Sequence, residues 1–190
     1  MSTTKLDAII KQMEYYRLLG DKTILILSQD QLNWTYNETS NSIAMLINHI
    51  SGNMLSRWTD FLTTDGEKAF RNRDAEFADG YYDRHELIKK WDQGWNCMLS
   101  SLRALTDEDL EKTVVIRSQQ QSAFDAIIRQ VSHYPYHIGQ LVFEGKMLMN
   151  TDWESLSIPK GGSKQYNEQK FSRPNSDTHF TDDFLKAKTN

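Results

Sequence analysis

Two histidines four residues apart, His133 and His137, stand in the stretch SHYPYHIGQLVFEGKML, residues 132–148. On an α-helix that spacing puts both imidazoles on one face, with Cβ atoms about 5–6 Å apart. Both rings can then reach one metal ion, and a third ligand must come from another element. His49 is the best candidate, because SIAMLINHISGNMLSRW around it is the other strongly apolar helical stretch. Three imidazoles suit zinc, nickel, copper or iron, and zinc and nickel lead here. Three protein ligands leave a position open for water or substrate, the pattern of catalytic rather than structural sites. A closed structural zinc site usually has four ligands with cysteines among them, and Cys97 is the only cysteine. A metal held here is expected to act in catalysis or ligand binding, lowering the pKa of a bound water or thiol.

Other chemistries lack their signatures. The H-E-x-x-H pattern is absent, since Tyr134 stands where its glutamate would be. There is no Gly-rich phosphate loop, nucleophile elbow or C-x-x-C motif. Paired E-x-x-H motifs for a di-iron bundle are missing as well. Polar groups that could orient the imidazoles are Asn53, Gln130 and Glu144.

The elements that must position these residues are helices. Leu6, Ile9, Ile10, Met13, Tyr16, Leu19, Ile24 and Leu27 recur at helical spacing and predict one helix over 5–29. Gly20 weakens its middle by roughly 1 kcal/mol relative to alanine. DQLNWTYNETSN reads as a loop ending in a helix N-cap, with Trp34 and Tyr36 folded over the core or lining a pocket mouth. A second helix is expected over about 40–64, on a stripe from Ile43 to Leu62 that has His49 at its flank. Residues 63–82 read as a long charged crossover pinned to the body by Phe70, Phe77, Tyr81 and Tyr82.

A third helix follows over 83–105, with Cys97 as a small buried hydrophobe and His85 at the surface. TDEDLEK predicts one short turn, and Thr113–Ile116 a short extended segment with no obvious partner strand. The fourth helix spans Ser122 to Asn150. Pro135 lies inside it, where proline costs about 3 kcal/mol and kinks a helix, and the kink is expected to aim His133 and His137 at one point. The last 40 residues are polar and turn-rich, and His179 among them is a poor permanent ligand. The loop SIPKGGSKQYN and one helical turn from Ser163 are expected to wrap the bundle, with the final residues fraying.

At 190 residues, the length suits one domain, read as 1–171 with a polar tail over 172–190. Net charge is −4 and the basic residues are scattered, which argues against a nucleic-acid partner. No apolar run approaches the roughly 20 residues of a membrane span. MSTTKLDAIIKQ lacks the apolar core of a signal peptide, and with one cysteine the expectation is a cytoplasmic protein.

Taken together, NHISGNML in helix two and SHYPYHIGQL in helix four resemble the DinB-like superfamily. More narrowly they resemble its uncharacterised bacterial branch, where a tail like SLSIPKGGSKQYN follows the last core helix. The resemblance covers residues 5–171, and H-x-x-x-H-x-G-Q is kept whole as His133, His137, Gly139 and Gln140. It implies an all-α fold: a four-helix bundle with a long crossover between helices two and three and an irregular C-terminal tail. It also implies a metal triad of His49, His133 and His137, and a homodimer. Some relatives are metal-dependent S-transferases or isomerases that use bacillithiol, mycothiol or glutathione. By that analogy the metal binds a small thiol and presents it to an electrophilic small-molecule substrate, with Trp34, Tyr134 and the long loop shaping the cleft. The alternatives are a non-enzymatic metal- or ligand-binding bundle and a metal-dependent hydrolase.

Overall fold

The computed structural model describes residues 4–175 and 178–186. In chain order the elements are α1 (Lys5–Ile26), α2 (Gln29–Asn33), α3 (Ile43–Trp58), α4 (Arg73–Glu76), α5 (Arg84–Arg103), β1 (Thr113–Ile116), β2 (Gln119–Ser122), α6 (Ala123–Met149), α7 (Ser163–Phe171) and α8 (Asp182–Lys186). The molecule is mostly helical, with one small two-stranded sheet. Among the described residues no helix is long and apolar enough to cross a membrane.

Side-chain caps set where the long helices begin. Thr4, Ser42, Asp83 and Ser122 each accept a hydrogen bond from a first-turn amide of the helix that follows, which satisfies a donor the helix itself cannot. α1 packs against α5 and α6, and α3 packs against the same two helices. The shared core includes Met13, Leu46, Ile50, Trp95, Met98 and Ile138. Fourteen of the sixteen residues of α3 are buried, so this helix runs through the interior rather than along a surface. His49, Asn53 and Arg57 fall at four-residue intervals on it and form its polar stripe.

The helix expected over 5–29 stops at Ile26, and the start of the stretch expected as a loop belongs to the short helix α2, Gln29–Asn33. Leu27 is extended, and Ser28 caps α2 through a reciprocal pair of hydrogen bonds with Gln31, the capping-box arrangement. The second helix stops at Trp58, short of residue 64, because Thr59 turns extended. Gly20 proves to be a contact rather than a flaw: a Cβ there would lie 2.5 Å from the Trp91 indole. α6 runs through Pro135 as one helix from Ala123 to Met149.

The segment Thr113–Ile116 does have a partner strand. β1 pairs antiparallel with β2 in the register Thr113–Ser122 to Ile116–Gln119. Arg117 and Ser118 join the strands with φ of 52° and 61°, as a two-residue hairpin turn requires. Asp65 accepts from the amides of both turn residues at 2.8 Å, so the crossover loop and the hairpin hold each other in place.

Polar groups rather than aromatic rings do most of that pinning. Ser56 Oγ donates to the Gly66 carbonyl at 3.0 Å and accepts from the Lys68 amide at 2.9 Å. Asn33 exchanges two hydrogen bonds with the backbone of Tyr82. Phe70 and Tyr81 are exposed, against expectation, while Phe77 and Tyr82 are half-buried. Cys97 is likewise half-buried, and His85 is exposed.

At the C-terminus the single turn expected from Ser163 extends to the nine residues of α7. α8 docks on α1 through Lys11–Asp182 at 2.9 Å and the Tyr15–Phe184 ring contact. The fraying expected of the last residues falls partly on 187–190, which lie outside the described residues, as do residues 1–3 of the N-terminal stretch.

Candidate metal centre

α3 and α6 present three imidazoles to one point. His133 Nε2 lies 3.4 Å from His49 Nε2 and 3.1 Å from His137 Nε2. All three ligand atoms lie within 4.8 Å of one another, so the cluster could hold a metal ion. His49 is buried, and the two α6 histidines are half-buried at the end of a cleft of about 540 Å³.

The far side of each ring explains why the Nε2 atoms face inward. His49 Nδ1 lies 2.9 Å from Glu76 Oε2, His137 Nδ1 lies 2.9 Å from Gln140 Oε1, and His133 Nδ1 lies 3.3 Å from Gln130 Oε1. A carboxylate can only accept, so His49 Nδ1 donates to Glu76, and the amide oxygens of Gln130 and Gln140 place the other two rings in the same sense. In that tautomer each Nε2 offers its lone pair to the shared point, the form a metal ion takes up. Zinc–nitrogen bonds of 2.0–2.1 Å at tetrahedral angles place ligand nitrogens about 3.3 Å apart. The two separations from His133 Nε2 match that spacing, and the three-histidine cluster could hold a metal ion.

Electrostatics agree with the tautomers. Burial pushes the His133 imidazole down to about 3, and its neighbours His137 and His49 add to the effect. Burial lowers His137 too, against the opposing hydrogen bond to Gln140. Neutral imidazole is the form that binds metal.

Glu76 was not among the residues expected from the sequence. It comes from α4 in the crossover loop and is only 8% exposed. Arg71 grips it with two nitrogens, at 2.8 Å and 2.9 Å, and is itself buried apart from 3% of its side chain. Burial alone would raise the Glu76 carboxyl, but the hydrogen bonds from His49 and Arg71 outweigh it and hold the group below the usual carboxylate range. Gly52 leaves the room: a Cβ at that position would lie 2.2 Å from Glu76 Oε1. Phe77, next along the loop, stacks on the His49 ring with centroids 4.7 Å apart. The long crossover therefore forms one wall of the site.

The remaining expected residues divide between two places. Asn53 and Gln130 line the cleft. Tyr134 lies behind it in the core, fully buried, where it accepts from Trp58 Nε1 and donates to Asn53 Oδ1, both at 2.9 Å. Trp34 and Glu144 line a neighbouring cavity of about 610 Å³, walled by Leu46, Phe143 and Met147, which meets the first at Asn41 and Gln140. The residues the sequence reading missed are Glu76, Arg71, Gln140 as a partner of His137, and Arg57, four residues beyond Asn53 on α3.

Glu144 makes a prediction of its own. Its Oε1 is buried without a hydrogen-bond partner, and burial raises the carboxyl from 4.5 to about 7. A carboxyl raised on folding holds its proton longer in the native state, so stability falls as pH rises from 4.5 towards 7. Glu144→Gln is expected to flatten that fall. Urea unfolding at pH 8 should show the variant more stable than wild type by about 1–2 kcal/mol, after allowing for solvent screening, with no gain at pH 4.5. Parallel stability curves for the two proteins would contradict this.

Against known proteins, a family model described as a protein of unknown function, DUF1572, matches residues 1–162, most of the chain. No curated protein and no solved structure matches.

Proposed function

We propose that this chain, which belongs to the DUF1572 family, is a metal-dependent enzyme that joins a low-molecular-weight thiol to an electrophilic small molecule. The observation that carries the reading is the convergence of three tethered Nε2 atoms at the end of a cleft. Three protein ligands with an open side are the catalytic pattern. His49, His133 and His137 would hold zinc or nickel, and the ion supplies Lewis acidity that favours the ionised form of a thiol at neutral pH. Glu76, Gln130 and Gln140 keep each histidine in the tautomer that binds metal. Phe77 and Tyr136 flank the rings of His49 and His137.

In the reaction the thiol loses its proton to solvent and a carbon–sulfur bond forms. The electrophile's leaving group departs with the electron pair. This step needs an ionised sulfur but no protein general base. The cleft wall supplies no carboxylate base, since among the described residues no aspartate or glutamate lines it. A hydrolase of the H-E-x-x-H kind uses a glutamate there, so the lining favours thiol transfer over hydrolysis. The ring of contacts among α1, α5, α3 and α6 supports a four-helix bundle of DinB-like type, and bacillithiol-type thiols and a homodimer come with that resemblance.

Zinc- or nickel-loaded protein should conjugate a small thiol to 1-chloro-2,4-dinitrobenzene. His137→Ala should lose at least about 100-fold of that rate while its circular dichroism stays unchanged. Wild type inactive with bacillithiol, mycothiol, glutathione and cysteine alike would overturn the transferase and leave a metal-binding protein.

A further inference from the structure

The cleft that leads to the histidines is strongly cationic. Arg57, Arg71, Arg73, Arg117 and Arg129 line it, and among the described residues no carboxylate does. Two of the five are neutralised from behind. Arg71 is taken by Glu76 and Arg117 by Glu67, at 2.8 Å and 3.2 Å. Arg57, Arg73 and Arg129 form no ion pair among the described residues. Arg73 lies over the Phe77 ring, and Arg129 is exposed on α6, one residue before Gln130.

Arg57 is the unusual one. It is 3% exposed, and its Nε and Nη1 have no hydrogen-bond partner. Glu67, whose charge favours it, is already shared by Arg71 and Arg117. Burial works against its charge, and so do the positive charges of Arg129 and Arg71. A buried guanidinium left without an anion is strongly unfavourable. Leucine or methionine would fill the same volume. The donors are planar and matched to a carboxylate or phosphate.

We propose that the cleft binds a small oxyanion, a carboxylate or phosphate carried by the substrate or its thiol partner, with Arg57 and Arg129 as its binding residues beside the histidine triad. Asn53, one turn from Arg57 and one turn from His49 on the same stripe of α3, lines the same cleft. The placement rests on the proposed reading of the site, because the anion orients the reacting end of the ligand towards the histidines. The charge argument stands without a metal.

The test is calorimetric titration of inorganic phosphate and of succinate, with succinamide as the neutral control. It is run on wild type, Arg57→Met, Arg129→Gln and His133→Ala, each with chelator and then with zinc. Wild type should bind at least one of the two anions in chelator and ignore succinamide, and which anion binds more tightly tells phosphate from carboxylate. Each arginine variant should bind that anion at least about tenfold more weakly. His133→Ala should keep the anion affinity measured in chelator. Arg57→Met should also melt no lower than wild type, since it removes an uncompensated buried charge. Equal anion affinity in wild type and both arginine variants would overturn the proposal, as would no anion binding at all. Failure of zinc to bind, with arginine-dependent anion binding intact, would instead count against the metal reading alone.

Discussion

His133→Ala will leave the chain folded and unable to hold a transition ion. His133 is the middle ligand, with its Nε2 within 3.4 Å of both other Nε2 atoms. Its loss leaves two imidazoles, His49 and His137, with ring centroids 4.9 Å apart, one ligand short of the three-histidine set. Removing an outer partner of a ligand costs about 10–100-fold in metal affinity, and removing the ligand itself should cost more. Competition against a chromophoric chelator measures this directly. Stability gives a second readout with a distinct sign. Zinc at about 100 times its dissociation constant should raise wild-type stability by about 2.7 kcal/mol, and the variant should show no rise. Without metal the variant should be no less stable than wild type, because one of the three Nε2 atoms aimed at one point is gone. A variant that still binds zinc as tightly as wild type would mean that the ligands lie elsewhere.

Glu76→Ala is the second large effect, and it should damage fold and site together. Arg71 is almost fully buried, and Glu76 is its closest counter-ion. Removing one partner of a buried ion pair destabilises by about 3–5 kcal/mol, and the loss here should fall towards the lower end because Arg71 keeps Glu67 at 3.4 Å. His49 loses the acceptor for its Nδ1–H, so its tautomer is no longer held and metal affinity should fall about 10–100-fold. Gly52→Ala tests the same contact without touching either charge. Its methyl would occupy the place of the Glu76 carboxylate, so it should weaken zinc binding in the same direction. Glu76→Gln keeps an acceptor oxygen for His49 and should retain more affinity than Glu76→Ala. Unchanged zinc affinity in both Glu76→Ala and Gly52→Ala would show that the loop does not support the site.

These two sets of residues differ in how far the sequence shows them. His133 and His137 share a helical face by spacing alone, and His49 sits in the other apolar helix. Their convergence was therefore legible. Glu76 was not, because RNRDAEF has no period and reads as a solvated charged stretch. Only the fold brings it back across 27 residues to His49. Arg57 was hidden for the opposite reason. It lies between Met54 and Trp58 in a stripe that reads as core, and its four-residue spacing from Asn53 and His49 was the available signal. Gln140 stood in the H-x-x-x-H-x-G-Q segment, three residues past the histidine it holds.

The long helices were legible from apolar periodicity, and their ends were not. Ser28 with Gln31 carried a capping-box signal across the boundary between an expected helix and an expected loop, and it starts a short helix there. The hairpin was harder. QQQS has no alternation of apolar residues, and Arg117–Ser118 adopts positive φ without the Gly or Asn that usually announces such a turn. Asp65 supplies what the turn residues lack, by accepting from both of their amides. Side chains distant in sequence settled the local conformation.

The most direct test of the central claim is the metal content of tag-free wild-type protein, by elemental analysis as purified and after equilibration with zinc and with nickel. One transition ion per chain is expected, bound by protein in which all three histidines are intact. Wild type that arrives without metal and takes up neither zinc nor nickel would contradict it.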